Sequence, residues 1–204
     1  EAKKFADSFG SGDWAELSAF WHDLGKYLIG WQRYIRTETG YDEDAHIEGV
    51  GGRPNHSTVG AVFAFEKLKQ HPIARILAYT VAGHHAGLPD WAPDDAGGDL
   101  VNRLYEDPLN GKLNTSELEE IKKIHEVQRY LSIPLPKTTP LDMNSPVDME
   151  RNSEIFHLWI RMLFSCLVDA DFLDTEEFMN SDNTSKRGQY PELQELSVRF
   201  DRFM

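Results

Sequence analysis

Apolar residues in this chain recur at intervals of three and four, and no stretch of strict alternation stands out, so the pattern predicts helices throughout. Asp13 followed by Glu16 reads as a capping box opening a helix that runs through roughly Arg36. Asn55, preceded by Pro54, caps a second helix carrying Val59, Val62, Phe63, Glu66 and Leu68. Pro72 suits the first turn of a third, with Ile73, Ile76, Leu77 and Thr80 on one side and Gly87 and Pro89 closing it. A fourth helix is expected from Thr115 to Leu131. Ser145-Pro146-Val147-Asp148 then caps a long apolar stretch in which Leu158 to Val168 is interrupted only by Arg161 and Ser165, so this element should be buried on most sides. The expected fold is all-α, a helical bundle.

Three segments break the pattern. Residues 37–54 are acidic and glycine-rich, residues 132–147 hold four prolines, and residues 180–190 are polar; all three read as surface loops. There is no internal repeat and no sharp shift of composition, so the 204 residues are expected to form a single domain. Hydrophobic residues make up 40% and charged residues 27%, as in ordinary globular proteins, and no apolar run has the roughly 18 residues of a membrane span. A single cysteine, Cys166, excludes an intrachain disulfide and suits a reducing compartment, so a cytoplasmic location is expected. The chain opens at Glu1 rather than Met, which suggests a piece of a longer protein.

Charge changes the picture. With 21 basic against 34 acidic residues the net charge is −13, which argues against gripping a nucleic-acid backbone along a broad basic surface. It does not exclude a nuclease, because divalent cations can supply the positive charge that side chains lack.

The candidate chemistry starts at WHDLGKY, residues 21–27. On a helix Lys26 lies one turn beyond both His22 and Asp23, so all three can address one pocket. Gly25 costs about 1 kcal/mol relative to alanine there, which is tolerable where another backbone or a ligand approaches closely. An ordinary helix with an exposed His-Asp pair would read the same way. The other histidines shift the balance: His56 opens the second helix in NHSTVGA, with Gly60 one turn on leaving the same face open. His84 and His85 stand in AGHHAGLPD, where a glycine-closed terminus can turn adjacent residues to one site. Finally, LVDADFLDTE, residues 167–176, brings Asp169 and Asp171 out of an apolar helix, where a carboxylate is costly unless paired or bound to metal. Solvated acids at a helix end are the plain alternative.

Histidines and carboxylates without cysteine form a nitrogen and oxygen donor set suited to manganese, iron, cobalt, nickel, zinc or magnesium. A carboxylate such as Asp23 can bridge two ions. Two ions about 3.5–4 Å apart can activate water and stabilise the leaving oxygen in phosphoester hydrolysis. Lys26 could then meet a phosphate oxygen as a point charge. His46, His71, His125 and His157 are assigned ordinary surface or packing roles, and core packing is the default for Trp14, Trp21, Trp31, Trp91 and Trp159.

Through His22-Asp23 and the later Asp171 the chain resembles the HD superfamily of metal-dependent phosphohydrolases. More closely, HDLGK at 22–26, NHS at 55–57, GHHAG at 83–87 and ADFLDT at 170–175, in that order, resemble the HD nuclease domain of the CRISPR-associated helicase-nuclease of type I systems. The resemblance implies a helical domain holding one or two divalent transition-metal ions and cutting single-stranded DNA in the prokaryotic cytoplasm. It makes His22 and Asp23 ligands with Asp23 bridging. His56, His84 and His85 complete the second metal site, and Asp171 closes the first, with Asp169 in reserve because only Asp171 directly precedes an aromatic residue. Thr175 stands where the family often has a hydroxyl residue, and Lys26 matches the lysine near the phosphate path. The family normally has a further histidine on an earlier helix, and none precedes His22; either the chain begins inside that helix or the first site is incomplete. A helicase motor, in cis or in trans, and an RNA-guided surveillance complex are the implied partners. No G-x-x-x-x-G-K-[ST] loop occurs here, so these residues hold no ATP motor of that kind. Two other readings share these residues: an HD phosphohydrolase of nucleotides or cyclic dinucleotides, and a catalytically silent HD binding module.

Overall fold

Helix begins almost at the first residue. A computed structural model describes residues 1–32, 56–68, 72–91, 100–101, 104, 115–137, 152–187, 191 and 193–204, and among them there is no strand. The expected all-α class therefore holds. Helix α1, Ala2–Asp7, is followed by a turn through Gly10 and by α2, Gly12–Trp21. Ser11, not Asp13, is the N-cap residue of α2. Asp13 lies inside the first turn, where its carboxylate accepts from the Trp14 and Lys137 amides, and Glu16 pairs with Lys3 across to α1. The capping box read from Asp13 and Glu16 is therefore not formed.

The helix expected to continue to Arg36 stops at Trp21. His22 and Asp23 form a turn, Leu24–Tyr27 a 3-10 segment, and residues 29–32 are helical again. The physical reason is steric. A Cβ on Gly25 would lie 2.2 Å from the backbone oxygen of His56, and one on Gly60 would lie 2.0 Å from that of Trp21. The HDLGK turn is thus pressed against the start of α3, Ser57–Leu68, and its path is set by that contact.

Helices α3 and α4, Pro72–Gly83, pack against each other more extensively than any other pair of described elements. Val59, Phe63, Leu77 and Val81 are fully buried, as are Ile76 and Thr80 of the face read from the sequence. Ser18 and Thr80 share a buried hydrogen bond of 3.2 Å that ties α2 to α4. The stretch expected as one helix from Thr115 to Leu131 is two, α5, Thr115–Lys122, and α6, His125–Leu131, parted at Lys123 and Ile124, whose extended backbone caps α6. Trp14, Trp21, Trp31 and Trp159 are all buried, so the core default was correct for them. Trp91 is half-buried beneath the Arg75 guanidinium, 4.4 Å from its ring.

The long apolar helix, α7, spans Ser153–Met179. It buries one stripe, Trp159, Leu163 and Leu167, while Ile155, Leu158 and Met162 are exposed. The expectation of burial on most sides is corrected by this, because residues four apart share one face and their neighbours turn away from it. Trp159 meets Trp14 edge-on at 5.0 Å and donates to Ser11 Oγ at 2.8 Å.

The described residues fall into two compact units, Glu1–Asp169 and Ala170–Met204. The second contains the end of α7, then α8, Ser181–Lys186, and α9, Leu193–Phe203. The polar segment 180–190, expected as a loop, therefore includes a short helix. Asn180 caps it by accepting from the Asn183 amide, and Asp182 stands in its first turn. Arg187 clasps Glu176 through two hydrogen bonds. The predicted caps at Asn55 and Ser145, the loop 37–54, and His46 and His71 lie outside the described residues. No described helix is long and apolar enough to cross a membrane.

Candidate metal centre

Three backbone features converge on one spot: the turn after α2, the start of α3 and the end of α4. The first delivers His22 and Asp23, the second His56, the third His84 and His85. Because α4 ends at Gly83 and Gly87 takes a φ of 93°, the chain turns sharply enough to aim both of the adjacent histidines inward. Ligand atoms of Asp23, His56, His84 and His85 all lie within 4.8 Å of one another. Asp23 Oδ1 is 3.5 Å from His56 Nε2 and 3.9 Å from His84 Nε2, and the Nε2 atoms of His56 and His85 are 2.8 Å apart. His22 Nε2 lies 3.1 Å from Asp23 Oδ2.

The tautomers are set from outside the cluster. His22 Nδ1 donates to the Ala19 carbonyl and His84 Nδ1 to the Val81 carbonyl, each at 2.6 Å. His84 therefore turns its Nε2 lone pair inward, the arrangement that orients a histidine toward a metal, whereas His22 presents its Nε2 to the Asp23 carboxylate. His84 Nε2 and Asp23 Oδ1 are buried and have no hydrogen-bond partner among the described residues. A buried lone pair left this way is costly, and a cation relieves the cost. Trp31 covers the far side, its ring 4.3 Å from that of His56.

Electrostatics suit a cation as well. Burial works against a charge on Asp23, yet the His22 ring and the Lys26 ammonium outweigh it and hold the carboxyl well below the usual carboxylate range. Burial pushes His56 down to about 2 and His84 down to about 3, so both rings are neutral ligands at physiological pH. The donor set is imidazole and carboxylate, which fits a divalent ion of the manganese-to-zinc series.

Lys26 Nζ donates to Asp23 Oδ2 at 2.7 Å, and Gln32 Nε2 donates to the Lys26 carbonyl at 2.7 Å, which braces the 3-10 segment. Beside them opens a concavity of about 470 Å³ lined by Phe20, His22, Asp23, Lys26, Tyr27 and Tyr130, among others. Burial, and then a hydrogen bond with Tyr130, raise the Tyr27 phenol to about 12.

Of the residues singled out in the sequence, His22, Asp23, Lys26, His56, His84 and His85 are thus brought together. Asp169 is exposed and ends the first unit, whereas Asp171 and Thr175 belong to the second. His125 and His157 are exposed, in keeping with the surface roles given to them. Phe20, Tyr27 and Tyr130 were not singled out. Tyr130 is 107 positions from Asp23, and no local pattern marks it.

A helical domain with a histidine–aspartate cluster opening on an HD dyad is an HD-type domain with a candidate divalent-metal site. The family model described as Cas3, HD domain, matches residues 6–150, and the chain belongs to that family. It is accordingly a hydrolase of the HD type with a nuclease role in CRISPR systems. HDLGK, NHS and GHHAG lie inside the matched stretch, and ADFLDT at 170–175 lies beyond it. No curated protein matches the chain.

Proposed function

We propose that this chain is a divalent-metal-dependent nuclease that hydrolyses phosphodiester bonds of single-stranded DNA during CRISPR interference. The observation that carries the reading is the Asp23, His56, His84 and His85 cluster, with its buried Asp23 Oδ1 and His84 Nε2 aimed at a common centre. In this reading His56, His84 and His85 would hold one ion, His22 and Asp171 a second, and Asp23 would serve both. Bound ions supply Lewis acidity, which lowers the pKa of water to near neutrality and offsets charge on the leaving oxygen.

The chain's own residues do the rest. Asp23 stays ionised next to His22 and Lys26, so its carboxylate is available without loss of a proton. Lys26, half-exposed at the edge of the concavity, offers an ammonium to a non-bridging phosphate oxygen and orients the substrate. Thr175, one helical turn after Asp171, would supply a hydroxyl to the reaction in this reading. A helicase motor, in cis or in trans, feeds the displaced strand, and an RNA-guided complex recruits the pair.

The test uses protein stripped of metal and resupplied in turn with manganese, cobalt, nickel and magnesium. Cleavage of circular single-stranded DNA is scored against hydrolysis of nucleotides and cyclic dinucleotides, with Asp23→Ala as control. Metal-dependent cutting that falls at least ~100-fold in the variant is expected. Nucleotide hydrolysis without DNA cutting overturns the nuclease reading in favour of the phosphohydrolase one. Bound metal with neither activity leaves a silent binding module.

A further inference from the structure

The concavity beside Asp23 contains more than a phosphate site needs. Part of its lining is aromatic: Phe20, from the last turn of α2, stacks on Tyr130 of α6 with ring centres 5.1 Å apart and planes at 24°. Tyr27 closes the row and is hydrogen-bonded to Tyr130. This is not core packing, since Phe20 is 39% exposed and both tyrosines are half-buried. The shelf is nevertheless fixed in place: the buried Trp21 donates its Nε1 to the Tyr130 carbonyl at 3.1 Å, tying α6 to the residue before the HD dyad.

The geometry points to a nucleobase-stacking subsite on the Phe20–Tyr130 shelf, taking an unpaired base of the strand whose phosphate lies at Lys26. The inference rests on the nuclease reading and adds to it the part of the substrate that lies off the reacting phosphate. Every base has a π-face, so the subsite is tolerant of sequence. Only a single strand can present that face to a side chain, because in a duplex it is covered by neighbouring base pairs. A row of three aromatic rings flanked by one cation suits a nucleotide of an extended strand: the rings take the base and the ammonium takes the phosphate. Tyr130 is then a substrate-positioning group that chooses single strands over duplex.

The experiment compares the manganese-loaded chain with Tyr130→Ala and Tyr130→Phe on two single-stranded oligonucleotides, one with all its bases and one abasic across its centre. On the complete strand Tyr130→Ala is expected to raise KM roughly tenfold with little change in kcat, and Tyr130→Phe to recover most of the loss. On the abasic strand wild type and Tyr130→Ala should be indistinguishable. Equal losses on both strands, or no loss on either, overturn the subsite. A binding arm separates this from failure of the nuclease reading: 2-aminopurine in the complete strand should be quenched by the metal-free wild type and not by Tyr130→Ala. Quenching that depends on Tyr130 in a protein that cuts no DNA upholds the subsite and removes the nuclease. Cutting by wild type without such quenching does the reverse.

Discussion

A buried imidazole and the same imidazole in an unfolded chain hold their protons differently, and the difference is a stability term. His56 and His84 have folded values of about 2 and about 3, against an ordinary value of 6.5. Above 6.5 neither state binds the proton and the term is complete. Below it the unfolded chain takes up protons that the folded chain refuses, so stability falls with pH until the folded values are reached. The slope is on the order of 1 kcal/mol per pH unit for each ring. Asp23, held below the carboxylate range, adds a loss of the same sign only under about pH 4. The window from about pH 6.5 to about pH 4 therefore reports on the histidines. Urea midpoints of metal-free protein at about pH 7.5 and about pH 5 should show the drop. His56→Gln and His84→Gln should each flatten it; an unchanged slope in both would mean that these rings are not buried as neutral groups.

Two glycines set the contact between the HD turn and α3. Alanine at Gly60 would push a methyl to 2.0 Å from the Trp21 carbonyl oxygen, and alanine at Gly25 to 2.2 Å from that of His56. Neither obstacle is a flexible side-chain end, so the elements must part. Gly25→Ala and Gly60→Ala are each expected to cost about 1–3 kcal/mol or more in urea unfolding and to weaken manganese binding, since the shift separates Asp23 from His56. Gly30→Ala is the control: no described atom lies within 4 Å of its added carbon, and a change under about 0.5 kcal/mol is expected there. Equal effects at all three positions would show that the close approach is not what matters. The same contact explains what could be read in advance. Gly25 and Gly60 were legible as places of close approach, and the periodicity of α3 and α4 gave their buried faces. The stop at Trp21 was not legible, because Asp13 and Glu16 imitate a capping box and the force that ends the helix comes from His56, 35 positions away. Phe20 and Tyr130 were missed for a related reason. Their stacking spans two helices, and the bond that anchors it joins residues 109 apart.

At the scale of the whole chain the question is how a protein of net charge −13 admits DNA at all. A basic groove attracts the backbone from a distance and releases many counterions on binding, so its affinity falls steeply with salt, by about −0.7 in log–log slope for each phosphate neutralised on a single strand. Among the described residues lining the concavity the cation is Lys26, and its charge is already shared with Asp23 at 2.7 Å. Bound metal would add positive charge at one or two phosphates rather than along a track. Stacking on Phe20 and Tyr130 carries no such salt term. The slope of log(kcat/KM) for single-stranded DNA against log salt should therefore be shallow, between about 0 and −2, in the manganese-loaded chain. A slope of about −4 or steeper would require a basic track that the composition gives no sign of, and would mean that most of the binding lies away from the Asp23 site. A shallow slope would leave capture of the strand to another component, as the proposed delivery by a helicase motor requires.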